Sequence, residues 1–319
     1  MQTDVLTNIT SWAIAILAYP GFLFAIALAL TGEWIASALR PIFTPRLYRN
    51  RVRKSGFFDP LLTLFKLLSR KDAVHWQSPL ATNDPTGTAS THPAENALSV
   101  IGAIAPILAL ALMPISGNPV TQELGLHTDL VLLLALLATY PIASAAAQAR
   151  SGGLSLLEGA QTLGALLTGL LPALVVVTAL VQVARATTLN MDSLLAAPET
   201  PQQTFVRLLC AAALLIALPW WLGRRPAQRQ TELTSAGAQA GKLFQTAALA
   251  VFWSVLVLPA TGDLTWSILI MTLGSLFAAT SMRVIGERWW PTRRTAEAAN
   301  LVWATTLPLA LVALLLSII

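Results

Sequence analysis

One cysteine in 319 residues leaves no disulfide framework and no thiolate-held iron–sulfur cluster within the chain, and that residue, Cys210, stands inside an apolar run. Charge is also scarce: 11% of residues are Asp, Glu, Lys or Arg, where soluble domains carry about a quarter. Histidine is sparse too. His75, His92 and His127 lie far apart and read as loop residues, not as a metal site. There is no nucleotide-binding glycine loop, no H-E-x-x-H and no paired nucleophile and base. The opening "MQTDVLTNIT" lacks the basic region and cleavage site of a secretory signal, so the first apolar run is expected to be retained.

What is abundant is apolar: 55% of the residues are hydrophobic, gathered in continuous runs of Leu, Ala, Ile and Val. A bilayer core of about 30 Å takes roughly 20 such residues as a helix. Continuous rather than alternating hydrophobicity points away from a β-barrel. The expected fold is all-α: a single polytopic transmembrane domain over 1–319, with spans near 9–31, 98–116, 129–148, 160–182, 205–222, 244–260, 264–284 and 298–318. The net charge of +5 does not suggest nucleic acid, because the basic residues fall in the gaps between runs. Of 20 Lys and Arg, 18 fall in alternate gaps, which leaves Arg185 and Arg207 on the other side. Since cytoplasmic loops are the positive ones, both termini are expected outside the cytoplasmic membrane.

The longest basic gap contains "NRVRKSGFFDPLLTLFKLLSRKD" at 50–72. From Pro60, leucines and Phe65 cover one side while Thr63, Lys66 and Arg70 recur at helical spacing, with Asp59 and Pro60 as a starting pair. An amphipathic helix over 60–70, lying at the cytoplasmic interface, is expected. Trp220–Trp221 and Trp289–Trp290 fall near span ends, where an aromatic belt is expected. Carboxylates inside a span are costly and hence functional candidates. Glu33 and Glu158 are placed near span ends, Asp129 and Asp263 at outer edges, and no string of buried carboxylates is visible.

These residues resemble the membrane-anchor family that comprises subunit 1, the H-type subunit, of respiratory complex I and its relatives in membrane-bound hydrogenases and formate hydrogenlyase. Asn50–Arg51–Val52, Gly56, Pro60–Leu61, Lys66–Leu67–Leu68 and Lys71–Asp72 follow the order of that family's first-loop motif, N-R-V-G-P-x-G-L-L-Q-P-L-A-D-x-x-K-L-L-x-K-E. Pro291, Arg294, Trp303 and Pro308–Leu309 keep the spacing of its P-R-F-R…W…L-P-L signature. "HPAENALSVIGAIAPILAL" and "TELTSAG" are similar more weakly to its second-span entry and to an E-L-T stretch in the hydrogenase-type relatives. The departures are specific. Tyr48–Arg49 and Arg53–Lys54 replace Gly-Pro pairs, Leu62–Thr63 replaces Ala-Asp, Glu232 is the lone carboxylate of the fifth connection, and "GAQTLGALLTGLLPAL" stands where the family has an acid-bearing span.

The resemblance implies a non-catalytic membrane anchor of an oxidoreductase complex. It would dock a hydrogenase-like or quinone-reductase-like peripheral arm, whose iron–sulfur clusters lie in other chains, and contact antiporter-like membrane subunits. No cofactor is expected in this chain, and the missing acids weigh against quinone reduction here. The expected docking surface is Arg46, Arg49, Arg51, Arg53, Lys54, Lys66, Arg224, Arg225, Arg229, Arg293 and Arg294. The expected proton-path residues are Glu33, Glu158 and Glu232. The same departures leave open a scaffold or ion-translocation component of a non-redox membrane complex.

Overall fold

The computed structural model describes residues 17, 19, 21–43, 56, 58, 59, 62, 93–115, 118, 129–150, 154–184, 191, 200–222, 236–258, 263–289 and 295–318. Within them the chain is helical and without strands. The helices are α1 (Phe22–Phe43), α2 (Pro93–Leu112), α3 (Leu130–Arg150), α4 (Leu154–Val183), α5 (Pro201–Ala217), α6 (Ala236–Val257), α7 (Leu264–Trp289) and α8 (Thr295–Ile318). A 3₁₀ turn, Leu218–Leu222, continues α5. Seven of these helices are long and apolar enough to cross a bilayer, and α2 adds a shorter apolar helix, Val100–Leu112. The protein is therefore a polytopic all-α membrane protein. Hydropathy predicts eight spans; the eighth is this shorter one, because its helix opens on Pro93, Glu95 and Asn96 and stops before Pro114. Beyond it, buried Asn118 donates to the carbonyls of Ala111 and Met113, both at 2.8 Å, which satisfies the open end of α2.

The bundle is built around α6, which packs against α1, α2, α3, α5 and α7. Its span is 83% buried, against 22% for α8, which lies outside against α4 and α5. Local signals set several starts. Asp129 Oδ1 accepts the Val131 N–H and Asp263 Oδ1 the Thr265 N–H, each at 2.9 Å, so both edge carboxylates act as helix caps. At α5, Thr200 and Gln203 form a reciprocal capping box ahead of Pro201.

Prolines interrupt α2, α3, α4 and α8 at Pro106, Pro141, Pro172 and Pro308. Each lacks the N–H that would bond the carbonyl four residues back, and in an apolar medium that oxygen needs another donor. Two neighbouring helices supply one. Gln245 Nε2 of α6 donates to the Leu137 carbonyl freed by Pro141, at 2.7 Å. Trp303 Nε1 of α8 donates to the Thr168 carbonyl freed by Pro172, at 3.1 Å.

Among the described residues α1 covers Phe22–Phe43, and α7 continues to Trp289. Two expectations are corrected. Arg207, Lys242 and Arg283, counted as loop charges, lie inside α5, α6 and α7. Trp220 and Trp221 are no interfacial belt: the 3₁₀ turn folds both into the core, at 4% and 0% exposure.

Candidate functional site

Glu33 and Arg283 fall within membrane-span segments, Phe22–Leu39 and Leu264–Gly286. There they meet. Arg283 Nη2 donates to Glu33 Oε2 at 2.8 Å, with 8% of the arginine side chain and 19% of the glutamate side chain exposed. A carboxylate and a guanidinium within a span stabilise each other because each alone would be an uncompensated charge in a low-dielectric medium.

The backbone brings them together through small residues. A Cβ on Gly32 would lie 3.0 Å from the Ala279 Cβ, so α1 and α7 touch closely one position before Glu33 and one turn before Arg283. On the same turn of α7, the Thr280 hydroxyl and the Arg283 Nε are buried without a hydrogen-bond partner among the described residues. Thr280 departs from its neighbours in this: Thr168, Thr246, Thr272 and Thr306 each return their hydroxyl to the carbonyl four residues back.

Two more polar side chains are buried within about a turn of this level. One is Tyr140 of α3. It lies on Gly241 of α6, where a Cβ would come within 2.7 Å of the ring and 3.4 Å of the Gly102 carbonyl oxygen freed by Pro106. One turn further along α6 is Gln245, fully buried, with its Oε1 unpartnered.

Of the residues expected from sequence to be functional, the structure places Glu33. Arg46, Arg49, Arg51, Arg53, Lys54, Lys66, Arg224, Arg225, Arg229, Glu232, Arg293 and Arg294 lie outside the described residues, as does most of the helix expected over 60–70. Glu158 belongs to α4, with its side chain outside the description. At the start of that expected helix, the Leu62 N–H bonds the Phe58 carbonyl at 2.8 Å, and the Asp59 carboxylate reaches back to the Gly56 N–H at 2.6 Å. Sequence reasoning missed Arg283, Thr280, Tyr140 and Gln245. The available signal was a lone Arg at the end of an apolar run and a Gln inside one.

No family model matches the sequence, and no curated protein matches it. Among solved structures, the fold resembles a chain of the membrane-bound sulfane sulfur reductase, an archaeal respiratory membrane complex. The TM-score is 0.72 at 16% identity, over 97% of this chain and 99% of that one. A likeness at that identity shows a shared fold.

Proposed function

We propose that the chain is a membrane subunit of an energy-conserving respiratory complex. In this reading it is the anchor onto which a hydrogenase-like or quinone-reductase-like arm docks, with iron–sulfur clusters in other chains and antiporter-like subunits alongside. The observation that carries the reading is the match of fold to a chain of a respiratory membrane complex over nearly the full length of both. The alternating placement of basic residues supports a cytoplasmic docking face made of Arg46, Arg49, Arg51, Arg53, Lys54, Lys66, Arg224, Arg225, Arg229, Arg293 and Arg294, with both termini outside the inner membrane. Such a face pairs by charge-assisted hydrogen bonds with acidic groups on the arm.

The ion pair within the spans supports a place for Glu33 in a proton path, with Glu158 and Glu232 as further members. The acid-free run "GAQTLGALLTGLLPAL" in α4 favours a second reading, a scaffold or ion-translocation component of a non-redox assembly. Native purification in mild detergent separates the two. Iron–sulfur or hydrogenase-like subunits in stoichiometric yield support the first reading. A stable complex without any electron-transfer subunit supports the second, and a lone chain overturns both.

A further inference from the structure

The polar groups around Glu33 share one level of the bundle. Consecutive helices α6 and α7 are in register where Ser275 Oγ donates to Ser254 Oγ at 3.0 Å. Nine residues back along α6 and nine onward along α7 bring Gln245 level with Val284, about 13 Å from the serine pair at 1.5 Å rise per residue. Arg283, Thr280 and Glu33 are at that level, and Tyr140 and the freed Gly102 carbonyl lie a turn away at Gly241. The layer includes three of the four buried side-chain atoms without a partner among the described residues: Arg283 Nε, Thr280 Oγ1 and Gln245 Oε1.

A buried donor and acceptor left unbonded cost about 1–3 kcal/mol each. In a polar, charged setting such atoms are the ones that ordered water satisfies, with two to four bonds per molecule. Three of them at one level, beside the ion pair and two proline-freed carbonyls, are unlike the buried Thr246, Ser254 and Thr306, whose hydroxyls bond their own helix.

We propose that this layer binds water between α1, α7, α3 and α6, and that the bound water gives Glu33 a proton-exchange route inward to Gln245. Arg283 is the fixed counter-charge, and Thr280, Tyr140 and Gln245 hold the water. In the exchange, an excess proton carried as hydronium by the bound water passes to the Glu33 carboxylate, an O–H bond of the hydronium breaking as the carboxyl O–H forms, and the reverse step returns it to water. The other charged or titratable groups on the packed elements are Lys242 on α6 and, beyond the layer, Arg40 on α1, Glu95 on α2, Arg150 on α3, Arg207 and Cys210 on α5, and Glu287 and Arg288 on α7. This deepens the proton-path reading of Glu33 and rests on it, yet it concerns side chains of this chain alone.

The test is infrared difference spectroscopy on the full-length chain in lipid nanodiscs, titrated with acid in H2O and in D2O. The Glu33 signal is defined by its loss in Glu33→Gln. Expected is a carboxyl signal that exchanges promptly into D2O, shifts in frequency in Thr280→Val, and exchanges several-fold more slowly in Gln245→Leu. Thr280→Val is nearly isosteric and removes no bond the fold uses, so it decides alone if Gln245→Leu fails to fold. A Glu33 signal that is absent, fails to exchange, or is identical in wild type and the folded variants overturns the proposal. Purification without partners while the signal behaves as expected would sink the complex and leave the water site standing. Partners with an inert Glu33 would do the reverse.

Discussion

At the scale of single residues, Glu33 and Arg283 commit two opposite charges to one contact within the span segments. Removing one partner strands the other charge in a span, which in buried pairs costs about 3–5 kcal/mol. Arg283→Leu is expected at the lower end, about 3 kcal/mol, because Glu33 keeps 19% of its side chain exposed. Glu33→Leu alone should cost a similar amount, by stranding the guanidinium. The double Leu variant should recover most of the loss, since two apolar side chains replace two charges that needed each other. Unfolding midpoints in detergent for the four proteins measure the coupling, and strictly additive losses would show that the contact contributes nothing. The pair was invisible in the sequence for a plain reason. Its members are 250 positions apart, and each taken alone at the end of an apolar run reads as an interfacial charge. Only the packing of Gly32 on Ala279 makes them neighbours.

Among the helices, apolar runs long enough to cross a bilayer appear in the sequence without any structural knowledge, and the described helices follow them. Their ends are harder to read: at α1 apolar residues continue almost unbroken from Trp12 to Phe43, and hydropathy offers no boundary. The capping box at Thr200–Gln203 and the caps at Asp129 and Asp263 were better markers because they satisfy backbone groups that must be bonded. The prolines make a sharper prediction. Trp303→Phe removes the donor to the Thr168 carbonyl, and interhelical hydrogen bonds in membranes average about 0.6 kcal/mol and reach about 1.7. A cost toward the upper value is expected, since Pro172 leaves that oxygen no partner of its own. In a Pro172→Ala background, the backbone N–H restored at position 172 bonds the Thr168 carbonyl instead, and the hydrogen-bond part of the Trp303→Phe cost should vanish. Equal unfolding costs in both backgrounds would mean that the indole contributes packing alone.

On the scale of the whole molecule, burial and charge are laid out along different directions. Across the membrane plane the bundle is graded from α6, at its centre, to α8, whose Leu311, Leu315 and Ile318 are exposed as lipid or a neighbouring subunit would require. Along the sequence the pattern is one of charge: 18 of 20 basic residues fall in alternate gaps or the helix ends beside them, which in the proposed reading gathers them on one side of the membrane. A docking face of the kind proposed would bind through many weak, solvent-accessible pairs, and such pairs are screened over a Debye length of about 8 Å at physiological ionic strength. Docking of a water-soluble arm onto it should therefore be salt-sensitive in proportion to the charge removed. Replacing Arg51, Arg53 and Lys54 together with Gln takes three charges from the densest cluster while leaving the spans untouched. Peripheral subunits should leave membranes carrying this variant at distinctly lower salt than from wild type, with the amount of the chain in the membrane unchanged. Salt washes followed by quantification of membrane-retained partners measure the shift. If the two release curves coincide, the cluster serves topology alone and the docking face must be sought elsewhere on the molecule.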